Sequence, residues 1–237
     1  DGVRMQALIA QCSKDHADSV EIQATTLDWG TRCYTKDQPS AAPCQSPDMM
    51  TYHESRIPLG VSTGSLSEIK PDELAAAGIK ASDFEPANWK AAEVDGKQYA
   101  VPLDIHSIIL YYNKDLLKAA GLLGDDGKPV PSMLESAKGF DDALAKLTAN
   151  GVQGLSTATA DGATMWRIFY SLLNQQDGQF LSADNKFLDG DNLDKATKAM
   201  SEMASWVKNG WLAGQTEYPA SIALFTSGKA AMHINGV

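Results

Sequence analysis

Tyr99-Ala-Val-Pro-Leu-Asp-Ile-His-Ser-Ile-Ile-Leu-Tyr-Tyr-Asn-Lys-Asp-Leu-Leu117 is the stretch whose reading decides the fold. It follows the turn pair Asp95-Gly96 and opens as an alternating strand, broken on one side by Pro102, whose nitrogen cannot donate to a ladder. Asp104 and His106 stand two residues apart, so in an extended strand both side chains share one face. The apolar run Ile108–Tyr112 reads as a buried strand. Asn113 is placed to cap a helix over 114–120, and Gly121 to end it. A polar pair between an irregular entry and a buried exit suits a strand that crosses from one lobe to another. It equally suits an ordinary core strand with two polar residues at its exposed end.

Working outward, Met5, Leu8, Ile9 and Cys12 recur at helical spacing and predict an amphipathic helix over 3–14. Val20, Ile22 and Ala24 alternate with polar residues and predict a strand. Asp28-Trp29-Gly30 reads as a turn, Thr31 as a cap, and the segment to Ala42 is interrupted by Pro39. Pro47–Tyr52 reads as a short strand leading into the loop His53-Glu54-Ser55-Arg56. Helices are expected near 71–77 and 83–92, and Asp95-Gly96 is a hairpin turn. Beyond the quoted stretch come a loop over 124–131, a helix over 140–149 presenting Ala143, Leu144 and Leu147 on one face, a strand over 152–156 and a small-residue loop over 157–162. A helix over 163–174 carries Trp166, and 180–188 reads as a hairpin. Leu193, Ala196, Met200, Met203 and Val207 keep three-four spacing, which predicts a helix with these residues in the core, closed by Gly210. A short helix over 221–226 precedes a turn and strand over 228–236.

Composition narrows the function classes. The chain has 237 residues, 43% of them apolar, which is enough for a substantial core in one large domain or two lobes. Thirty acidic residues against 20 basic give a net charge of −10, which disfavours nucleic-acid and anionic-membrane surfaces. No apolar run reaches membrane-spanning length and no signal segment is present, so an export signal or lipid-anchor cysteine would lie outside this sequence. Cys12, Cys33 and Cys44 lack zinc-ligand spacing; Cys33 and Cys44 are near enough to bridge if their segment is not a straight helix.

Several catalytic patterns can be weighed. Gly60-Val-Ser62-Thr-Gly64 fits the nucleophile pattern G-x-S-x-G, but that motif needs a buried strand before it and a long helix after it. Pro58 and Pro71 flank it here, so a surface loop is expected. His16, His53, His106 and His233 show no i+3 or i+4 pairing, and the acid-rich run 184–194 does not put acids at calcium-loop positions, so no metal or other cofactor is expected. A secreted hydrolase using Ser62 or a carboxylate pair such as Asp104 and Glu54 is the rival from another class. A bare interaction module with a vestigial cleft is a second.

Val101-Pro102 followed by Tyr112-Asn113-Lys114-Asp115-Leu116, the Pro47-Asp48 strand, Leu66-Ser-Glu-Ile69 before Pro71, and Gly228-Lys-Ala-Ala-Met232 running into Ile234-Asn235-Gly236 together resemble the sugar-binding, maltose-binding-protein-like branch of bacterial extracellular solute-binding proteins. The resemblance runs over nearly the whole chain and corresponds to the earlier part of a typical member. It implies an α/β, two-lobe periplasmic-binding-protein-like fold around a ligand cleft. Residues 1–106 would form the first lobe, 107–112 the crossing strand and 113–237 a partial second lobe. It implies no catalysis. The expected activity is hinge closure on a mono- or oligosaccharide by an extracytoplasmic, monomeric protein, periplasmic or lipid-anchored, that serves an ABC-importer membrane permease. By position, Tyr52, Ser55 and Arg56 match cleft residues of that branch, with His53 among them. His106 falls where the branch carries a sugar-contacting glutamate, so the sugar preference should differ. Asp104 can supply a carboxylate and Trp166 a stacking ring from the second lobe, with Trp29 a weaker candidate. Sugars need aromatic faces for their C–H surfaces and paired polar groups for their hydroxyls.

Overall fold

The computed structural model describes residues 2–25, 47–182 and 184–236. The readings made for Asp28–Gly30, Thr31, Pro39, Cys33 and Cys44 lie outside the described residues. The chain divides into two compact units, Asp1–Ile105 and His106–Val237.

In the first unit, helix α1 spans Gly2–Asp15, as the spacing predicts. A 3-10 turn over Glu54–Arg56 leads into α2, Ile57–Ser62, with proline in its first turn, where no hydrogen bond is lost. Helix α3, Pro71–Ala76, is closed at its start by the Glu73 carboxylate, which accepts from the Lys70 backbone N–H at 2.7 Å. Helix α4, Pro86–Ala91, precedes the hairpin of β1, Glu93–Val94, and β2, Lys97–Gln98. Asp95 and Gly96 at its tip have φ of 51° and 76°, the left-handed pair that a tight hairpin of matching twist requires. Gln98 is buried, and its amide donates to the Ala100 carbonyl at 2.7 Å.

Three expectations fail in this unit. Residues 20–25 and 47–52 form no strand. Alternation marks two faces, but a strand needs a ladder partner, and none of the described residues supplies one. Residues 99–107 likewise lie outside any strand, so the shared face expected of Asp104 and His106 does not apply. The third concerns Gly60–Gly64, expected as a loop: its first half is the end of α2, and Ser62 Oγ donates to the Leu59 carbonyl at 2.9 Å. A serine at the end of a short helix is not on a strand-to-helix elbow, so the context for a Ser62 nucleophile is absent.

The second unit is built on a sheet in the order β3–β5–β4. Strand β3 spans Ile108–Tyr112 and is half-buried rather than sealed. Helix α5, Lys114–Ala119, follows at once, and Asn113 Oδ1 accepts from the Asp115 and Leu116 backbones at 3.0 and 3.1 Å. Helix α6 spans Ala137–Ala149 and packs on β4, Gln153–Ser156. Gly154 permits that approach: a Cβ there would stand 2.9 Å from the Leu144 carbonyl oxygen. Helices α7, Gly162–Asn174, and α8, Asn192–Lys208, pack on each other. Helix α9, Tyr218–Thr226, then returns the chain to β5, Ala230–Gly236. Strand β5 is parallel to β4, with Ser156 opposite His233, and antiparallel to β3, with Ile108 opposite Gly236. The expected 180–188 hairpin is present, with Leu188 N–H donating to the Phe180 carbonyl at 3.0 Å.

Leu117, Leu144, Leu147, Leu155, Leu173, Trp206 and Met232 form one buried cluster between sheet and helices. The stripe expected in the core of α8 is out of phase. Leu193, Met200 and Val207 are exposed, while Ala196, Ala199, Met203 and Trp206 are buried. Trp206 sets the phase, since its Nε1 donates to Asp141 and Glu202 at 3.2 Å each and its ring meets Phe140 edge-on.

Candidate functional site

Several polar groups of the second unit lie at one end of its sheet. The carboxyl ends of the parallel strands β4 and β5 lie there, and β3, running the other way, begins there. This is where open α/β sheets bind ligands. The loop 157–161 leaves β4 at this end. Thr157 Oγ1 donates to the Ile234 carbonyl at 2.9 Å. Thr159 Oγ1 donates to the Ala213 carbonyl at 2.9 Å and accepts from Thr216 N–H at 2.8 Å, tying two loops together. Asp161 caps α7, accepting from the Thr164 hydroxyl at 2.6 Å and from the Thr164 and Ala163 backbones. Burial pushes its carboxyl up, but those hydrogen bonds and nearby Arg167 together outweigh it and hold it below the usual range.

His106 is exposed at the same end, and its ring lies so close over Gly236 that any Cβ there would overlap it. Tyr111 hydroxyl donates to the Gly236 carbonyl at 3.0 Å. Asn235 Oδ1 accepts from the Tyr218 hydroxyl at 2.8 Å and from Gly236 N–H at 2.9 Å. The amide oxygen is thus engaged twice, which orients the carboxamide and leaves the Nδ2 hydrogens for another acceptor. The Tyr218 ring, at the start of α9, is exposed beside it. Tyr218 and Asn235 were not in the sequence-derived set of site residues. Asn235 was visible only as part of a family signature, and no local pattern links two residues that meet through a long return from helix to strand.

Beneath this layer, His233 is buried with Nδ1 against the Ser156 carbonyl at 3.0 Å and the Ser156 hydroxyl at 2.8 Å. Phe225 stacks on its ring at 5.6 Å. The carbonyl contact fixes the proton on Nδ1, and Nε2 is buried with no partner among the described residues. Burial pushes the imidazole below its ordinary value, against the opposing effect of the Ser156 hydrogen bond.

The remaining expected residues fall as follows. Trp166 is on the second turn of α7, half-exposed, with Phe180 edge-on at 4.6 Å. Asp104 is exposed and belongs to the first unit, whereas His106 belongs to the second. Tyr52, His53, Ser55 and Arg56 stand together at the start of α2, with Ser55 and Arg56 in the 3-10 turn. Tyr52 hydroxyl lies over Gly60, where an added Cβ would come within 3.2 Å of it. Trp29 lies outside the described residues. Trp89 packs against Phe84 at 5.2 Å. Among the described residues no group of three or more His, Cys, Asp or Glu is placed to hold a metal ion, and no helix is long and apolar enough to cross a membrane.

The sequence profile of the family described as bacterial extracellular solute-binding protein matches residues 7–237. The chain is 30% identical over 204 residues to the maltodextrin-binding protein MdxE of Bacillus subtilis (strain 168), covering 81% of this chain and 43% of MdxE. Over 74 residues it is 39% identical to a maltooligosaccharide ABC transporter solute-binding lipoprotein of Streptococcus pneumoniae serotype 4 (strain ATCC BAA-334 / TIGR4), covering 31% of this chain and 16% of that one. The GacH receptor of Streptomyces glaucescens GLA.O, solved unliganded and with acarbose, superposes with a TM-score of 0.82 at 24% identity, covering 99% of this chain and 57% of GacH. The fold is therefore the two-lobe α/β fold of that receptor, of which this chain spans little more than half.

Proposed function

Because the chain belongs to the bacterial extracellular solute-binding protein family, we propose that it is the carbohydrate-binding component of an ABC importer, acting outside the cytoplasm on a maltodextrin-like oligosaccharide. The observation that carries this reading is the set of groups at the carboxyl end of β4 and β5. An imidazole, an oriented carboxamide and an exposed tyrosine ring converge there. These are the polar and aromatic groups that a neutral, hydroxyl-rich ligand requires. The matching sugar specificities of MdxE and the pneumococcal lipoprotein support the ligand class.

In this reading His106 and Asn235 take sugar hydroxyls, Tyr218 and Trp166 cover ring faces, and Tyr52, His53, Ser55, Arg56 and Asp104 supply polar contacts from the first unit. The two units close on the sugar, and the ligand favours the closed form only by its greater affinity for it. The closed protein, a monomer, then delivers its ligand to the membrane permease. No bond is made or broken.

Calorimetry with maltose, maltotriose and maltoheptaose on the full-length protein tests the proposal. Arg56→Ala and His106→Ala should each weaken binding by about tenfold, the loss of one hydrogen bond to ligand, with an unchanged unfolding midpoint. Unchanged affinity in both variants would remove this site. Turnover of a chromogenic maltoside that disappears in Asp104→Asn would instead favour the hydrolase.

A further inference from the structure

Resting on the sugar-binding reading, we propose that the aromatic face shared by α7 and the 180–188 hairpin is an accessory stacking subsite for the extension of an oligosaccharide beyond the units held at the sheet end. Trp166 and Tyr170 stand one turn apart on α7, and each is 44% exposed. Their planes lie within 27° of each other, with ring centroids 5.9 Å apart. Phe180 meets Trp166 edge-on, and Phe187, 62% exposed, meets Phe180 perpendicular at 4.5 Å. Phe169, buried, supports Trp166 from beneath at 5.5 Å. Large rings left side by side in water are costly, and a contiguous patch of them marks a surface that meets something.

Three features select a neutral saccharide as the occupant. The first is continuity. Trp166 follows the capped start of α7, which leaves the loop 157–161 at the sheet end, so the rings run on from the candidate site. The advance from Trp166 to Tyr170 is about 6 Å along the helix, on the order of one pyranose unit. The second is charge: the recognition face consists of uncharged rings on a chain of net charge −10, which suits a neutral ligand and opposes an anionic one. The third is preorganisation. The Leu181–Phe187 bridge and the Ser182 N–H bond to the Lys186 carbonyl at 2.9 Å fix the hairpin, so the rings lose little freedom on binding.

The test compares maltose with maltoheptaose by calorimetry and tryptophan fluorescence on the full-length protein, with Tyr170→Ser and Phe187→Ser as variants. Both positions are exposed, and a thermal unfolding midpoint verifies folding. The unsubstituted protein should bind maltoheptaose more tightly than maltose. Each variant should lose about fivefold on maltoheptaose, within the range of one aromatic contact, and nothing on maltose. An undiminished preference for the longer sugar in both variants, equal losses on both sugars, or no such preference in the unsubstituted protein would each overturn the subsite. His106→Ala separates the two ideas: if it weakens both sugars while the serine variants change neither, only the subsite fails. If no sugar binds at all, the sugar reading falls and the subsite with it. Self-association in sedimentation that Phe187→Ser abolishes would make the face an interface between copies, also overturning the proposal.

Discussion

Leu144 on α6 has no solvent-accessible surface, whereas Leu8 on α1 is 65% exposed, although both belong to helices that the apolar spacing locates correctly. The contrast extends to the two units. In the second, sheet and helices enclose a continuous cluster from Leu117 to Met232. In the first, Ile57 and Ala92 are the buried apolar residues among those described, and its only described sheet is a two-residue hairpin. A helical period is a local property, satisfied by backbone bonds within the segment. Burial requires a second surface. The candidate site inherits this difference: the sheet end carrying His106, Asn235 and Tyr218 rests on a packed core.

The sharpest test of the contrast is a pair of leucine truncations. Leu155→Ala, on β4 of the second unit's sheet and fully buried, should cost about 2–5 kcal/mol, combining lost transfer energy with a residual cavity. Leu8→Ala should change stability by less than about 0.5 kcal/mol. Denaturant unfolding with hydrogen exchange resolved by segment would report both. Comparable losses would show that α1 has a buried partner and would erase the difference.

What the sequence discloses follows the same physics. The Asp95-Gly96 hairpin, the Asn113 cap and the face of Ala143, Leu144 and Leu147 were legible because each signal and its structural consequence lie within a few residues. The strands expected at 20–25 and 47–52 were not, because alternation does not reveal whether a ladder partner exists. The face of α8 was misphased because Leu193, Met200 and Val207 look as apolar as the true core positions. The decision rests on Trp206, whose indole N–H needs acceptors on α6 and α8. In the candidate site, His106 was an expectation drawn from the family resemblance. Its position over Gly236 and the Tyr218–Asn235 bond depend on strand pairing and could not be read locally.

A smaller effect is expected where the second unit's order reaches the site. Asp161→Ala removes the cap of α7 and should cost about 1 kcal/mol. The Asp161 carboxyl lies below its ordinary range when folded, so its contribution is present above the unfolded pKa and is lost as pH falls through the folded one. In acid the variant and the parent should therefore converge. Cost that persists undiminished at low pH would mean the cap acts through geometry alone.

His233 adds a separate pH signature to the same sheet. Its folded pKa is pushed below the unfolded value, so the neutral form is the stabilising one. That stability is complete above about pH 6.5, the ordinary histidine value, and declines as pH falls from there toward the folded pKa. Unfolding measured across this range should show the decline, and His233→Gln should flatten it. A slope that survives the substitution would assign it to another group.

The smallest predicted effect has the opposite sign and lies within the well-packed unit itself. Glu202 is pushed above the usual carboxylate range, first by burial and then by the neighbouring Asp141 charge and a hydrogen bond shared with it, with Trp206 pulling the other way. A carboxyl whose folded pKa exceeds its unfolded value contributes its full stability below the unfolded pKa and loses it as pH rises through the folded one. At neutral pH the pair Asp141 and Glu202 is therefore a small liability, retained because Trp206 Nε1 needs acceptors to stay buried. Glu202→Gln keeps an oxygen for the indole and removes one charge. It should raise the unfolding midpoint slightly at neutral pH and leave it unchanged in acid, where Glu202 is protonated. A drop at neutral pH would show that the indole depends on the charge itself, and the phase of α8 would then rest on an ionic contact rather than on the fit of the tryptophan ring.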